Sequence, residues 1–313
     1  MSSNDNDSEN LSRTIVPEME DLLGRSFAVL DDGFIRVIDY MGSDESIVQA
    51  ARISYGKGTR RINEDRGLIR YLMRHHHTTP FEMCEIKLHV RVPMDCWRQW
   101  IRHRTASVNE YSTRYSIAID SVQTTKQGGW RKQSSHNKQG SDSFLDTKIG
   151  RLLSAKEERL HHHIRVAYEE RIKKGVAREQ ARKDLPLSTY TEAYWKIDLH
   201  NLFHFLALRM DSHAQHEIRS YANVIGNEIV RKWCPLAWNA FSDYRLNSTH
   251  LSQIETEVLK YLINQNSAEA KAYLFSLGLL TLDSAGQINR SREVIEMQSK
   301  FNALGVQLDW ENW

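Results

Sequence analysis

The chain has 313 residues and nearly balanced charge, with 42 basic against 40 acidic side chains. This balance gives no electrostatic case for a nucleic-acid or membrane-surface partner, so any affinity for phosphate must come from a local cluster of cations. Its three cysteines are too few and too far apart for a disulfide framework, and no apolar run approaches the length of a membrane span. With a polar, acidic start unlike a signal peptide, the sequence predicts a cytoplasmic protein without a membrane partner.

The first part of the chain predicts a poorly ordered start, then a strand and two helices. Residues 1–13 are rich in Ser, Asn and Asp, which favours disorder. The β-rich run 34–40 predicts a strand. Ser43 and the acidic residues after it predict the N-terminus of a helix, and Asn63 predicts the cap of the next one.

The clearest strand is residues 85–92, where even positions are aliphatic and odd positions are charged or polar. This alternation is typical of a sheet with one wet face. Pro93 suits the first turn of a following helix, which is expected to bury Trp97 and Trp100 and to end near Arg102.

The next region alternates between irregular and periodic segments. Residues 120–147 are rich in Ser, Gln, Gly and Lys and predict an irregular surface excursion. An amphipathic helix is predicted over 149–174, and a strand over 188–195. Residues 199–233 predict a helix in two pieces that meet near residues 211–212.

Together these elements predict an α+β fold, with an antiparallel or mixed sheet flanked by helices and a helical C-terminal extension. Three parts are expected: a poorly ordered segment 1–27, a main domain 28–246 and an extension 247–313 of unknown role. In the extension, Ser291 is predicted to cap the last helix.

Residues 102–115 concentrate polar chemistry, with three arginines, a histidine, a carboxylate, an amide and several hydroxyls. Such a segment cannot be a core element, because unpaired charges are too costly to bury. It contains no Gly, Pro or Lys. Its cations are arginines, whose planar fork grips phosphate or carboxylate in bidentate fashion. We interpret it as an anion-binding loop that lines a ligand site.

Arg102-His103-Arg104, followed after seven residues by Ser112, is similar to the signature of the flavin-dependent thymidylate synthases. Two further motifs agree with this resemblance. Residues 77–82 read His-Thr-Thr-Pro-Phe-Glu, and residues 208–218 read Leu-Arg-Met-Asp-Ser-His-Ala-Gln-His-Glu-Ile. Three separated motifs in this order make the resemblance specific, and it covers roughly residues 28–244.

The resemblance implies the reductive methylation of dUMP to dTMP. Methylenetetrahydrofolate would donate the one-carbon unit, reduced FAD the hydride, and NADPH would re-reduce the flavin. It also implies a homotetramer with active sites shared between subunits, and no metal. No Gly-x-Gly-x-x-Gly motif is present, so a Rossmann flavin site is not expected.

The resemblance also assigns site residues. The dUMP contacts are expected to be Gln99, Trp100, Ile101, Arg102, Glu110, Tyr111, Ser112, Thr113, Arg114, Arg182 and Arg209. The FAD contacts are expected to be Thr79, Arg102, His103, Arg104, Glu110, Asp198, Leu199, His200 and His204. Four positions depart from the common family pattern: Asp198, His200, His204 and Met83.

Arg209 is the expected catalytic residue. A cation beside the pyrimidine would polarise N3 and raise electron density at C5, which is otherwise a poor nucleophile. Because Arg209 lies among apolar residues, it needs a partner, and Asp211, Glu217 or a ligand could supply one. Ser112 is expected to hydrogen-bond substrate and not to act as a nucleophile, since no nucleophile-elbow motif is present.

Two alternative functions remain open from the sequence. His200 and His204, and likewise His213, His216 and Glu217, have the helical spacing of metal ligands, which would suit a metal-dependent hydrolase. The matched carboxylate motifs of such sites are absent from the sequence. A non-catalytic nucleotide- or RNA-binding protein is the other alternative, but the sequence has no basic stripe.

Overall fold

The computed structural model describes residues 13–53, 62–114, 117, 119, 121–134 and 140–306, with only the backbone described for 62–64. Residues 1–12 of the segment 1–27, which was predicted to be poorly ordered, and the side chain of Asn63, predicted to cap a helix, lie outside this part. The prediction was wrong for the described rest of that segment, residues 13–27, because Met19 and Leu22 are buried in the core and hold it in place. The chain divides into two compact units, Met1–Leu246 and Asn247–Trp313.

The first unit is built on a five-stranded sheet. Its strands, in order across the sheet, are β1 (Ser26–Val29), β2 (Gly33–Met41), β3 (Glu85–Pro93), β7 (Tyr190–Asp198) and β4 (Ser107–Glu110), and every neighbouring pair is antiparallel. This confirms the predicted α+β class. The sequence predicted no element at β1, which forms one edge of the sheet, and β4 forms the other edge.

The central strand β3 has the predicted alternation. Its even-numbered residues from Ile86 to Val92 are buried, and the odd ones from Glu85 to Arg91 are partly exposed. The same pattern continues across the pairing with β7, where Leu88 lies opposite the fully buried Trp195. One face of the sheet therefore packs into the core and the other is wet.

Most helices of the first unit pack on the buried face. The helices of this unit are α1 (Pro17–Glu20), α2 (Asp44–Ile53), α3 (Ile62–Arg74), α4 (Thr79–Glu82), α5 (Met94–Trp100), α6 (Thr147–Lys173), α7 (Arg178–Ala181), α8 (Leu199–Arg209), α9 (His216–Val224), α10 (Arg231–Trp233) and α11 (Pro235–Phe241). Helices α6 and α7 instead pack against each other in a separate small cluster around Tyr168 and Ala181. A 3₁₀ turn follows α7 at Arg182–Asp184, and π-helical turns occur at Ile225–Val230 and Ser242–Leu246. The predicted break near residues 211–212 is confirmed, because it lies between α8 and α9.

An aromatic cluster joins α5, α8 and α9 to the sheet. The Trp100 ring lies 5.2 Å from that of Trp195, 4.9 Å from Phe205 and 5.7 Å from Tyr221. All four side chains are fully buried. This cluster fixes the C-terminal ends of α5 and α8, from which the polar residues described below emerge.

The predicted irregular excursion contains a hairpin. Its strands are β5 (Arg131–Gln133) and β6 (Ser141–Phe144). Thr125 N donates to Glu157 Oε2 of α6 at 2.7 Å, so the segment is docked on that helix. The prediction of an irregular segment was wrong here, because strands of three and four residues whose side chains are mostly exposed leave no periodic signal.

A hydrogen-bonded carboxyl group and three thiols lie within the first unit. The carboxylate of Asp44 on α2 accepts hydrogen bonds from the backbone N–H groups of Leu236 and Ala237 and so caps the start of α11. The three cysteines, Cys84, Cys96 and Cys234, are free and buried.

The second unit has its own apolar core. Its elements are α12 (Gln253–Ile263), α13 (Ser267–Ser276), β8 (Leu280–Leu282), β9 (Ile288–Arg290) and α14 (Arg292–Ala303). Ser291 caps α14 by accepting from Val294 N, as predicted. The hairpin of β8 and β9 was not predicted. In the part of the chain that the structure describes, no helix has the length and apolar character needed to cross a bilayer.

Candidate functional site

The arginine-rich segment begins where α5 ends and passes into edge strand β4. Trp100 closes α5 inside the aromatic cluster, and residues 101–106 turn outward before Val108 pairs opposite Trp195. Arg102 and Arg104 are exposed, while His103 is half-buried. The anchored helix end and the strand together hold this loop at a fixed place on the surface.

Arg209 lies at the last turn of α8, facing this loop. Its Nε donates to His103 Nε2 at 3.1 Å, and its Nη2 donates to the backbone oxygen of Gln99 at 3.4 Å. The carboxylates expected as possible partners bind elsewhere: Asp211 pairs with His213 at 2.9 Å, and Glu217 with Arg131 at 2.8 Å. Among the described residues Arg209 therefore has only neutral partners, which leaves its charge available to a ligand.

His103 is held neutral. Burial lowers its pKa to about 4, and the positive charge of Arg209 and the nearby His204 act in the same direction. A neutral imidazole can accept a hydrogen bond at Nε2, whereas an imidazolium cannot. The Arg209 guanidinium is consequently oriented by an acceptor that adds no charge of its own.

These residues surround a cavity of about 330 Å³, close to the lower end of the range for small-molecule sites. Its wall contains Arg102, His103, Arg104, Thr105, Ile197, Asn201, His204, Leu208 and Arg209. Three guanidinium groups with an amide and two imidazoles form a donor set suited to an anionic ligand that also carries ring heteroatoms. The structure thus brings together five of the predicted site residues.

Other predicted residues form a second group at and beyond the far end of β4. Thr191 Oγ1 donates to Glu110 Oε1 at 2.9 Å. Arg182 Nη1 donates to Thr113 Oγ1, and Arg114 lies 3.5 Å from Glu179. Since the three residue steps of β4 span roughly 10 Å, the second group lies away from the cavity within one chain, and none of its members lines the cavity wall. Ser112 and Tyr111 belong to this group by position.

Three predicted contacts are in structural positions. The side chains of Trp100 and Leu199 are fully buried. The carboxylate of Asp198 caps α8 by accepting from Asn201 N at 2.9 Å and Asn201 Nδ2 at 2.7 Å. In this conformation the first two side chains have no surface to offer a ligand.

The remaining predicted residues lie beside the cavity. His200 and His204 line a small hollow of about 90 Å³ together with His76, His77 and Arg245. Thr79 lies at a neighbouring hollow, with Met83. Gln99 and Ile101 flank the base of the loop. Among the described residues no group of three or more His, Cys, Asp or Glu side chains is arranged to hold a metal ion.

The sequence reasoning missed Asn201 and Leu208, which line the cavity, and Gln215, which holds Gln99. Asn201, His204 and Leu208 are spaced as i, i+3 and i+7, so one face of α8 points to the site. That spacing could have indicated Asn201 and Leu208, the two missed residues of the cavity wall. Nothing in the sequence indicates the contact between Gln99 and Gln215, because 116 residues separate them.

Comparison with known proteins agrees with this geometry. The Thy1 family, described as thymidylate synthase complementing protein, matches residues 36–236. A flavin-dependent thymidylate synthase of Wolbachia pipientis wMel is 54% identical over 255 residues, covering 82% of this chain and 89% of the relative. One from Rickettsia bellii is 49% identical over 265 residues, covering 80% of this chain and 90% of the relative. The crystal structure of the UMP/dUMP methylase PolB from Streptomyces cacaoi, bound with 5-Br UMP, superposes with a TM-score of 0.63 at 30% identity, covering 71% of this chain and 98% of that one. The chain therefore belongs to the Thy1 family, the family of the flavin-dependent thymidylate synthases.

Proposed function

We propose that this chain is a flavin-dependent thymidylate synthase, a methyltransferase that converts dUMP to dTMP in dTMP biosynthesis. Methylenetetrahydrofolate is its one-carbon donor, FAD its redox cofactor and NADPH its reductant. Relatives that carry this name at 49% to 54% identity support the reaction. The observation that carries the proposal is the Arg209 guanidinium, which lies at a cavity wall with only neutral protein partners.

The donor set of the cavity fits FAD. Arg102 and Arg104 are exposed cations suited to a diphosphate, and Asn201, His103 and His204 offer groups that can bond ring heteroatoms. These residues, with Thr79 and His200 beside them, would hold the flavin nucleotide. When bound, FAD supplies the hydride that turns the transferred one-carbon unit into a methyl group.

The role of Arg209 follows from its charge. Uracil C5 becomes nucleophilic when negative charge accumulates in the ring, and a fixed cation near N3 stabilises that charge. His103 and the Gln99 carbonyl preorient the guanidinium, so little reorganisation is needed when dUMP binds. Arg209 is therefore the catalytic residue of the proposal.

The second group of residues would hold the rest of dUMP. Arg114 and Arg182 are suited to its phosphate, Ser112 and Thr113 to phosphate oxygens, and Glu110 to a sugar hydroxyl. Their separation from the cavity in one chain supports a homotetramer in which one subunit's second group completes another subunit's cavity. Gln99, Ile101 and Arg102 would contact the nucleotide from the cavity side.

The bulk properties support the remaining parts of the proposal. Three free, buried thiols suit a reducing compartment, so we place the enzyme in the cytoplasm. Its balanced charge supports a small-molecule substrate and no nucleic-acid partner.

An absorbance spectrum of the purified protein tests this proposal, followed by anaerobic addition of NADPH with and without dUMP. Flavin bands that bleach with NADPH, at a rate that dUMP alters, are expected. A colourless protein that takes up no added FAD would contradict the proposed function.

A further inference from the structure

The hairpin of β5 and β6 is held between two helices. Trp130 Nε1 donates to Ser154 Oγ of α6 at 3.0 Å. Arg131 Nη2 donates to Glu217 Oε1 of α9 at 2.8 Å, and the two side chains are only 24% and 14% exposed. Solvent screens such a pair less than a surface ion pair. Removing Arg131 would therefore leave the Glu217 carboxylate with an uncompensated, partly buried charge.

Glu217 is a fixed carboxylate within this arrangement. Burial alone would raise its pKa, but Arg131 and the nearby Gln215 amide hold the pKa of this carboxyl below its usual value. The other oxygen, Glu217 Oε2, is enclosed and has no hydrogen-bond partner among the described residues. An ionised carboxylate accepts hydrogen bonds and cannot donate them.

Two carboxylates determine how the Gln215 amide is turned. Gln215 Nε2 donates to Asp95 Oδ2 at 3.3 Å and lies on the side of Glu217. Because both neighbours only accept, the amide nitrogen must face them and the amide oxygen must face away. That oxygen, Gln215 Oε1, accepts from Gln99 Nε2.

The orientation of Gln99 follows from the same rule. With its nitrogen committed to Gln215, its own amide oxygen is left over. Among the described residues Gln99 Oε1 has no hydrogen-bond partner, and it is not one of the enclosed unpaired atoms. Gln99 also accepts a bond from Arg209 at its backbone oxygen, so this free acceptor lies on the residue that holds the catalytic cation.

We propose that Arg131 and Glu217 are positioning residues of the nucleotide site. Through Gln215 they turn the Gln99 amide so that a hydrogen-bond acceptor is presented to dUMP. This inference rests on the proposed function, because it takes dUMP as the ligand. The nucleotide offers two kinds of donor that could use such an acceptor, the imide N3–H and the 3′-hydroxyl.

A double-mutant cycle on the flavin-loaded protein tests this inference, with the dUMP dissociation constant measured by calorimetry. We expect Arg131→Ala to weaken dUMP binding about fivefold, the usual effect of losing one neutral hydrogen bond, here the one between the Gln99 amide oxygen and the nucleotide. In a Gln99→Ala background the same change should have less than about a twofold effect, because the acceptor it orients is gone. Arg131→Lys should restore most of the affinity. Lys132→Ala, an exposed cation one position further along the hairpin, is the matched control and should change binding less than about twofold.

Two analogues identify the donor. N3-methyl-dUMP lacks the imide N–H, and the 3′-deoxy analogue lacks the hydroxyl. The recognised donor is the one whose removal weakens binding to the unmodified protein more than it weakens binding to Gln99→Ala. The comparison between the two proteins is needed because the added methyl group of N3-methyl-dUMP also lies near Arg209, and that cost is present in both proteins. If Arg131→Ala fails to fold by circular dichroism, Glu217→Gln replaces it in the same cycle.

The outcomes separate this inference from the proposed function. Unmodified protein that binds no dUMP would contradict the proposed function. If it binds dUMP and Arg131→Ala weakens binding equally with and without Gln99, or not at all, the positioning role is wrong. It is also wrong if neither analogue shows a loss that depends on Gln99.

Discussion

The end of α5 and the loop that follows it lie in opposite environments. Trp100 is fully enclosed by aromatic rings, whereas Arg102 and Arg104 are exposed at the cavity wall. Burial of the aromatic cluster fixes where the helix ends, and the loop then carries groups that burial could not stabilise. Substitutions in the aromatic cluster should therefore lower the free energy of unfolding. Substitutions at the cavity should instead affect ligand binding and catalysis.

The largest expected effect is that of Trp100→Ala. The change removes an indole from among Trp195, Phe205 and Tyr221 and leaves a cavity in the core, so the free energy of unfolding should fall by about 4 kcal/mol. Urea denaturation followed by circular dichroism measures it. Ile101→Ala, at the exposed next residue, is the control and should cost less than about 0.5 kcal/mol. Equal losses in the two variants would contradict the division between core and cavity.

Arg209→Ala is the matching change on the cavity side. It should lower kcat/KM for dUMP methylation by about 10²- to 10³-fold, because a preoriented charge is lost, while unfolding and flavin content stay the same. Arg231→Ala removes an exposed arginine outside the cavity and serves as the control. Methylation near the unmodified rate would remove Arg209 from the catalytic role.

Asp44→Asn tests how ionisation of the Asp44 carboxyl, which lies away from the cavity, affects stability. Burial raises the pKa of Asp44 to about 6, although the N–H groups of Leu236 and Ala237 oppose the rise. Between about pH 4 and 6 the native state then binds more protons than the unfolded state, so stability falls as the pH rises. Relative to Asp44→Asn, the unmodified protein should lose about 2 kcal/mol across this window. Unfolding free energies at several pH values would show a constant difference if the prediction is wrong.

At the cavity, His103 should give the stability of the unmodified protein the opposite dependence on pH, measured relative to His103→Gln. The pKa of His103 is lowered to about 4, so between about pH 4 and 6.5 the unfolded state binds more protons and stability rises with pH. Because the ring is half-exposed and screened by solvent, we expect only about 1 kcal/mol relative to the variant. The same pH series measures it. A difference that falls with pH would contradict the neutral state assigned to this imidazole.

The sequence predicted the parts of the fold that local patterns encode. Strand β3 alternates because one face of its sheet is wet, and Ser291 caps a helix by a bond to its own first turn. Strand β1 and the hairpin of β5 and β6 have no such local signal. Their positions depend on contacts with distant residues, such as the one between Thr125 and Glu157.

The site was predicted unevenly for a related reason. Composition identified the arginine-rich loop, because exposed arginines with no glycine or lysine are unusual in an ordinary connection. A run of consecutive residues was assigned to the ligand together, although Trp100 and Leu199 are turned into the core. The sequence could not show that Arg209 pairs with neither Asp211 nor Glu217, or that Gln215 hydrogen-bonds Gln99. Both depend on how α8 and α9 pack.

The three buried cysteines are natural probes for the opening of the first unit. A thiol reagent can reach Cys84, Cys96 or Cys234 only when the first unit opens, so the rate of labelling reports how often that happens. The second unit contains no cysteine and is silent in the same experiment. Labelling with and without nucleotide would therefore show how far ligand binding slows the opening of the first unit, without any change to the chain.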